Sequence, residues 1–233
     1  MDYQIYNQMQ KRQYDSLASE WTPSNRDPVV GTFDLHNQWK DYSLLFEGLY
    51  TEDKIALDFG CGPGRGLVEY SSYFKSIDGV DISSINLDKA IEWCEINNLK
   101  VNNLYLTTGN NLENIVSEIY DVVYSTICLQ HICVHSIRYN LMKEFFRVLK
   151  PGGWFTAQMG YGPDRINSVP YLCDNYTAGG TNGECDTRVE SPTELKDDLE
   201  SIGFTSFSHK IRPVGPGDRH NKWIFFRAQK PNS

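Results

Sequence analysis

The sequence from Ile55 to Gly66 reads IALDFGCGPGRG. Its first five residues form an apolar run, interrupted only by Asp58, that predicts a buried strand. Gly60, Gly62 and Gly64 come next, and glycines let the main chain turn tightly and approach a ligand without a side chain between them. A glycine-rich turn that follows a strand and opens a helix is the context that indicates cofactor binding.

Apolar runs alternate with helix-period segments downstream of this turn. Strands are predicted at residues 55–59, 77–82, 101–108, 121–127 and 154–159. Helices are predicted between them at 66–74, around Leu87–Cys94 and over Ile137–Val148, the last one ending at Pro151-Gly152-Gly153. Strands that alternate with helices of this length imply right-handed crossovers and a mostly parallel sheet.

The carboxyl-terminal part breaks this alternation. Ser191, Pro192 and Glu194 form a capping box with proline at the first helical position, which predicts a helix to about Ile202. Strand patterns at 204–213 and 222–229 then follow with only a turn-rich stretch between them, so they must pair antiparallel.

Two regions lie outside this alternation. Residues 1–54 contain two amphipathic helix candidates, with apolar faces that carry Tyr6, Tyr14, Leu17 and Trp21 in the first and Leu35, Trp39, Tyr42, Phe46 and Leu49 in the second. Residues 160–190 are rich in Gly, Asn, Asp and Tyr and show no period. A loop of that length in a compact domain is usually functional or disordered.

Composition excludes several classes of protein. The chain has 233 residues and a formal net charge of −8, with no basic block, which opposes nucleic-acid binding. No apolar run is long enough for a membrane span, and the amino terminus has no secretory h-region, so we expect a cytoplasmic protein. Six cysteines without a Cys-x-x-Cys pair favour a reducing compartment, and the spacing of Cys128, His131, Cys133 and His135 matches no structural zinc pattern, so no metal is predicted.

The glycine spacing separates two kinds of cofactor. The dinucleotide fingerprint needs glycine at relative positions one, three and six, but the sixth position is Arg65 counted from Gly60 and Leu67 counted from Gly62. Gly-x-Gly-x-Gly, preceded two residues earlier by Asp58, instead resembles the first motif of the class I S-adenosylmethionine (SAM)-dependent methyltransferases.

Further segments are similar to that family in the same order along the chain. Asp81 ends the second strand, where the family places the acid that binds the ribose hydroxyls. Gly109-Asn110-Asn111 stands where the family usually has Gly-Asp beside the adenine amino group. The remaining similar segments are LQHI at 129–132, LKPGGWF at 149–155, and QYDSLA at 13–18, which resembles the family's lid helix.

The resemblance implies an α/β fold, a Rossmann-like doubly wound sheet of seven strands, mostly parallel with a C-terminal antiparallel hairpin. It implies an N-terminal helical lid at 1–54 and a methyltransferase domain at 55–233 with a substrate-side insertion at about 160–190. The implied cofactor is SAM, with S-adenosylhomocysteine (SAH) as product. The implied cofactor contacts are Tyr14, Asp58, Gly60, Gly62, Gly64, Asp81, Ile82, Asn110, Asn111, Ile127 and Gln130.

Methyl transfer from a sulfonium mainly requires alignment and exclusion of water, and a hydroxyl nucleophile also needs a base. Candidate bases near the strands' carboxyl ends are His131, His36 and Asp34, of which we take His131 as the predicted catalytic residue. The predicted substrate contacts are Trp21, His36, Tyr161, Arg165 and Tyr176. We expect O- or N-methylation of a small polar acceptor such as a sugar, glycan or similar metabolite, without nucleic-acid or membrane partners; the sequence indicates no oligomeric state.

Structural alternatives exist for these residues. Asp58 can cap the turn, Asp81 can mark the start of the next helix, and the aromatic residues of the first fifty can serve in packing. Two alternative functions follow from different classes of protein, a nicotinamide-dependent oxidoreductase and a non-catalytic SAM-binding protein. Binding of a nicotinamide dinucleotide but not SAH would favour the oxidoreductase.

Overall fold

The computed structural model describes residues 3–24, 33, 42–162, 168–177, 186–214 and 220–232. The helices in these ranges are α1 (Tyr3–Ser19), α2 (Arg65–Glu69), α3 (Ser84–Ile96), α4 (His135–Val148) and α5 (Pro192–Ile202). The strands are β1 (Ile55–Phe59), β2 (Ser76–Asp81), β3 (Leu104–Leu106), β4 (Tyr120–Ser125), β5 (Leu149–Tyr161), β6 (Ser168–Pro170), β7 (Asp186–Val189), β8 (Thr205–Pro213) and β9 (Lys222–Gln229). None of the described helices is long and apolar enough to cross a membrane.

The sheet is parallel in its centre and antiparallel at one side. Its order begins β3-β2-β1-β4-β5, and these strands all pair in parallel. β9 pairs antiparallel with β5, and β8 pairs antiparallel with β9. The predicted α/β fold with a mostly parallel sheet and a C-terminal antiparallel hairpin is therefore confirmed.

The described sheet has nine strands rather than the seven that were expected. The two additional strands, β6 and β7, come from the insertion at 160–190, in which no period was visible. β9 covers one edge of β5 along Trp154–Tyr161, while β7 pairs with β5 at Gly160 and Tyr161 only. Because β4 pairs with β5 no further than Ala157, β7 occupies the other edge, beyond the carboxyl end of β4.

Both faces of the sheet are covered, as expected for parallel strands. Leu57 and Phe59 of β1 point into the cluster that includes Phe145 of α4, whereas Ala56 belongs to the cluster that includes Ala90 of α3. Asp58 alternates with its neighbours and so lies on the same face as Ala56. The predicted capping box of α5 is present, with Pro192 at the start and Gly203 in a left-handed conformation at the end.

Two predicted elements are shorter than expected. The helix predicted at 66–74 ends at Glu69, because the Ser71 hydroxyl donates to the Val68 carbonyl at 2.8 Å, a bond that competes with the helical pattern. The strand predicted at 101–108 is limited to β3; just before it, the Asn103 carbonyl accepts the Gly79 N–H at 2.9 Å, but the Asn103 N–H donates to the Asp78 carboxylate at 3.2 Å. In the second amino-terminal helix candidate, the described part is a 3₁₀ turn at 42–46.

Candidate active site

The glycine-rich turn after β1 is held against β2. The main-chain N–H groups of Gly60 and Cys61 both donate to the Val80 carbonyl, at 2.8 and 3.1 Å. Gly62 has a φ of +51°, and a Cβ added there would meet no protein atom within 4 Å. A Cβ at Gly64 would instead lie 2.9 Å from the Ala90 main chain of α3. Gly62 therefore leaves room for a ligand, whereas Gly64 allows the turn to pack closely against α3.

A large cavity opens beside this turn. Its volume is about 1170 Å³, including the space at its mouth. The wall is formed by the carboxyl ends of β1, β2 and β4 and by α1, which is where ligands bind in open α/β sheets. The predicted cofactor residues on this wall are Tyr14, Asp58, Gly60, Gly62, Asp81, Ile82 and Ile127.

Asp81 closes β2 at the middle of the cavity wall. Its Oδ2 atom accepts the Gly62 N–H at 2.9 Å, and its Oδ1 atom accepts the Ser83 N–H at 2.8 Å and the Asn86 amide at 3.1 Å. Burial raises the pKa of this carboxyl, and these donated hydrogen bonds oppose the rise. Because a carboxylate has about four acceptor positions, Oδ2 can still accept from a ligand hydroxyl.

Asp58 is a second buried carboxyl on the wall. It is 1 % exposed, and burial raises its pKa to about 8. Its Oδ1 atom is buried and has no hydrogen-bond partner among the described residues. Arg65, two residues after the turn's Pro63, lines the same cavity with its guanidinium 4.4 Å from the Phe33 ring centre.

The end of β3 provides a third part of the site. Thr107 and Gly109 line the cavity, whereas Asn110 and Asn111 do not. The Asn110 Oδ1 atom is buried without a partner among the described residues, but the Asn111 side chain faces Thr108 and Glu113, on the wall of a second, smaller cavity. Of the two asparagines, Asn110 thus has the acceptor that an adenine amino group needs.

Strain marks the end of β4. Ile127 lines the cavity with a φ of +50°, a conformation that a β-branched residue rarely adopts. Its N–H donates to the Gln158 Oε1 atom at 3.1 Å, and the Gln158 amide donates in turn to Gln130 Oε1 at 3.2 Å. Gln130, a predicted cofactor contact, lies off the cavity wall, where it supports Gln158.

Helix α1 covers the cavity. Its Tyr6, Asn7, Gln10 and Tyr14 side chains line the wall. The Tyr6 hydroxyl accepts the Cys133 N–H at 2.7 Å, and the Asn7 amide donates to the Thr108 carbonyl at 2.8 Å. Burial raises the pKa of Tyr14 well above its ordinary value, so its hydroxyl stays protonated.

His131 lines the cavity wall and contacts the carboxylate of Asp186. Its Nδ1 atom is 2.7 Å from the Asp186 Oδ1 atom, and the other oxygen of Asp186 is 3.2 Å from His220 Nε2. The His131 Nε2 atom is buried and has no hydrogen-bond partner within the described part of the chain. His135, close in sequence, pairs with a different carboxylate, Asp198, at 2.8 Å and lies outside the cavity.

The three predicted substrate residues that the structure describes do not line this cavity. Trp21 packs edge-on against Phe33 and Trp93. Tyr161 pairs with β9 at the end of β5, and Tyr176 packs near the rings of Tyr3 and Tyr6. Two further predicted contacts, His36 and Arg165, and the alternative base Asp34 lie outside the described residues.

The arrangement fits an adenosyl amino acid. Such a ligand needs an acceptor for its amino-purine, an acid for its ribose, bare main chain along its middle and an acid for its ammonium group. The wall offers Asp81 Oδ2, the open space at Gly62 and Asp58 Oδ1 for three of these needs. For the amino-purine, the buried Asn110 Oδ1 follows directly after the wall residue Gly109.

Some residues of the site were not predicted from the sequence. Gln10 shows the signal that could have found it, because it stands four residues from both Tyr6 and Tyr14 and so shares their helix face. Arg65 was considered only because it stands where the dinucleotide fingerprint requires a glycine. No local pattern marks Asp186, which lies 55 residues from His131 in the aperiodic insertion.

Residues 56–153 match a family model that is described as a methyltransferase domain. The match runs from β1 into β5 and includes the glycine-rich turn, Asp81 and His131. A comparison of the sequence with curated proteins finds no match.

Solved methyltransferase structures share the fold. Phosphoethanolamine N-methyltransferase 2 of Haemonchus contortus, solved with phosphomonomethylethanolamine and SAH, has a TM-score of 0.66 and 17 % identity over 100 % of this chain, which spans 61 % of that chain. A SAM-dependent methyltransferase of Methanosarcina mazei has a TM-score of 0.61 and 23 % identity over 78 % of this chain and 95 % of its own. A structure of the Haloferax volcanii Trm112 methyltransferase activator with a putative methyltransferase has a TM-score of 0.66 and 14 % identity, covering 96 % and 98 % of the two chains.

Proposed function

From the match of residues 56–153 to a methyltransferase domain, we propose that the chain is a class I SAM-dependent methyltransferase that transfers a methyl group from SAM to an oxygen or nitrogen of a small polar acceptor. We propose His131 as the base and α1 as the lid over the reaction. A sugar, glycan or similar metabolite is the class of acceptor that we predict. The observation that carries this proposal is the cavity whose wall includes both the open space at Gly62 and His131, the residue whose buried Nε2 has no partner among the described residues.

The cofactor would be held by three carboxyl or amide groups and the glycine-rich main chain. Asp81 would accept from the ribose hydroxyls, Asn110 from the adenine amino group, and Asp58 from the ammonium group of the amino acid end. Bound there, SAM would supply a methyl carbon on a cationic sulfur that leaves as a neutral thioether, so that no acid is needed for the leaving group.

The enclosure of the cavity supports a small acceptor. Tyr6, Asn7 and Gln10 tie α1 to the loops after β3 and β4 by hydrogen bonds to Cys133, Thr108 and His131 main-chain atoms. A covered cavity admits a metabolite more readily than a duplex or a folded protein surface. The net charge of −8 likewise opposes a nucleic-acid substrate.

The chain's own contribution to the rate is alignment, exclusion of water and removal of one proton. Holding two reactants in line can contribute about 7–11 kcal/mol. His131 Nε2 would take the proton that the acceptor's O–H or N–H loses, a step that typically contributes about 10²–10⁴-fold. A neutral amine that arrives deprotonated needs this base less than a hydroxyl does.

The described part of the insertion gives the sugar or glycan class no direct support. Tyr171 is fully buried with its hydroxyl on Asp198, and Arg188 is paired with Glu190. The acceptor class therefore rests on the way α1 covers the cavity. The acceptor panel should hold amines as well as sugars and glycans, since the Haemonchus contortus structure contains phosphomonomethylethanolamine.

Calorimetric titration tests the cofactor. We expect the purified chain to bind SAM and SAH and not a nicotinamide dinucleotide. Binding of the dinucleotide without SAH would favour the oxidoreductase alternative. Transfer of a radiolabelled methyl group from SAM to the acceptor panel tests catalysis, and the failure of every acceptor in the presence of bound SAM would favour a non-catalytic binding protein.

Two histidine substitutions test the base. His131→Ala should lower the rate of methyl transfer to a hydroxyl acceptor by about 10²-fold or more without changing the affinity for SAH. His135→Ala is the matched control, because His135 also pairs with a carboxylate but lies outside the cavity. Equal rates for both variants would remove His131 from the mechanism.

A further inference from the structure

We infer that Asp186 is the positioning residue for His131: it holds the imidazole with Nδ1 protonated and Nε2 as the proton acceptor. The inference rests on the proposed function, in which His131 is the base. Asp186 would not touch the reacting atoms and would act through the imidazole alone.

The contact itself has the geometry of a charge-assisted hydrogen bond. His131 Nδ1 and Asp186 Oδ1 are 2.7 Å apart, and their side chains are 15 % and 4 % exposed. A carboxylate only accepts hydrogen bonds, so the nitrogen that faces it must carry the hydrogen. In the neutral imidazole, Nε2 then has the lone pair, and this is the nitrogen without a partner among the described residues.

A second imidazole keeps Asp186 ionised. His220 Nε2 lies 3.2 Å from Asp186 Oδ2 and is buried. Burial by itself raises the pKa of Asp186, but the charges and hydrogen bonds of His131 and His220 lower it below its ordinary range. The carboxylate therefore accepts from two rings, one at each oxygen.

The fold provides room for this arrangement. Asp186 is the first residue of β7, which pairs with β5 beyond the end of β4, and the loop after β4 carries His131. A Cβ at Gly160 of β5 would lie 2.1 Å from the His220 ring, so only glycine leaves space for that ring. The insertion thus brings a carboxylate to the ligand end of the sheet.

A fully buried arginine fixes the residues next to both partners. Arg138 of α4 is 0 % exposed, and its Nη1 atom donates to the Ile132 carbonyl and, at 3.1 Å, to the Thr187 hydroxyl. Thr187 also donates to the Ile132 carbonyl, at 3.3 Å. Ile132 follows His131 and Thr187 follows Asp186, so the guanidinium ties together the two segments that carry the pair.

The His131–Asp186 pair provides a defined acceptor for the abstracted proton. When the acceptor's O–H or N–H bond breaks, its electron pair forms the bond to the methyl carbon and its proton goes to His131 Nε2. The sulfur becomes neutral, so the positive charge is now on the imidazolium, next to the Asp186 carboxylate. Tyr6 and Tyr14 of α1 and Cys128 also line this cavity.

Nitrogen-15 NMR of the imidazoles tests this inference without an acceptor. In the ¹⁵N-labelled full chain, with His131 assigned from the spectrum of His131→Gln, we expect the neutral His131 ring to carry its hydrogen on Nδ1. In Asp186→Ala that preference should disappear, because the acceptor is gone. Asp198→Ala is the matched control: it removes the carboxylate of the His135 pair outside the cavity and should leave the His131 signals unchanged.

The wild-type spectrum alone can refute the inference, even if the Asp186→Ala variant does not fold. A neutral His131 with its hydrogen on Nε2 would overturn it, as would an unchanged His131 spectrum in a folded Asp186→Ala protein.

Kinetics then separate this inference from the proposed function. With an acceptor found in the panel, Asp186→Ala should lower kcat by about 10²-fold and leave the SAH affinity unchanged, while Asp198→Ala should change neither. Normal turnover in Asp186→Ala would overturn the positioning role, although methyl transfer itself would stand. A panel in which no acceptor is methylated would overturn the proposed function, whereas the NMR result reports only on the pair.

Discussion

The substitution Asp58→Asn tests the site through the stability of the protein. It replaces a carboxyl that is 1 % exposed with an amide of the same size. Burial raises the pKa of Asp58 from 3.8 to about 8, so in neutral solution the folded protein holds a proton here that the unfolded chain has lost. Stability from this group is fully present below the lower pKa and is lost as the pH rises through the higher one.

The size of the effect follows from that proton. One proton taken up on folding lowers the free energy of unfolding by about 1.4 kcal/mol per pH unit, or about 3 kcal/mol from about pH 5 to about pH 7. Asparagine does not titrate. The free energy of unfolding of Asp58→Asn, minus that of the wild type, should therefore rise by about 3 kcal/mol over the same range.

Urea unfolding at several pH values within this window gives the measurement. Subtracting the free energy of unfolding of the wild type from that of the variant cancels the contributions of the other titrating groups. Only the slope of this difference against pH is compared. The cost of burying the asparagine amide does not change with pH and therefore does not affect the slope. Tyr124→Phe is the control, because it removes the hydroxyl beside Asp58 but keeps the carboxyl; its pH dependence should follow the wild type. Parallel curves for Asp58→Asn and the wild type would refute the reasoning.

The same carboxyl links cofactor binding to pH. A ligand ammonium near Asp58 favours the ionised carboxyl, so binding of SAM at neutral pH should release close to one proton. Calorimetric titration in two buffers with different ionisation enthalpies measures this release, which should be absent in Asp58→Asn. An equal release from both proteins would place the ammonium elsewhere.

Three further substitutions test the other cofactor contacts by titration with SAH. Gly62→Val should abolish binding, since its side chain enters open cavity space; a folded variant that still binds SAH would contradict the placement. Asp81→Ala should weaken binding by about 1–3 kcal/mol, and unchanged affinity would remove this residue from the ribose. Asn110→Ala should weaken binding by about 1 kcal/mol, while Asn111→Ala, the control, should not; the opposite order would assign the adenine to Asn111.

Local sequence patterns predicted the parts of the structure that depend on local physics. The turn at Gly60–Gly64 and the acid at the end of β2 follow from strand ends and backbone freedom within a few residues. The same patterns did not distinguish Gly62 from Gly64, because the difference is the distance to Ala90 on another helix. Nor did the motif around Gln130 indicate that its side chain accepts a hydrogen bond from Gln158 of β5.

The carboxylate behind His131 could not be predicted at all. Its position requires β7 to pair with β5, and only four residues form that strand. A strand so short has no measurable period, and its place depends on where β4 stops. The position of this carboxylate therefore depends on the pairing of strands that are distant in sequence, and not on local composition.

The buried acids Asp58 and Asp81 destabilise the folded protein, and this destabilisation is connected to their proposed role in cofactor binding. Asp58 and Asp81 both have a raised pKa because burial disfavours their charged forms. Such groups reduce stability unless a cation neutralises them, so a ligand with two positive groups, a sulfonium and an ammonium, would offset this cost. SAH keeps only the ammonium, and the attraction to these acids would fall once the methyl has moved. A site built this way would prefer the cofactor over its product, and equal affinity for SAM and SAH in the wild type, together with unchanged affinity for both in Asp58→Asn, would contradict this electrostatic account.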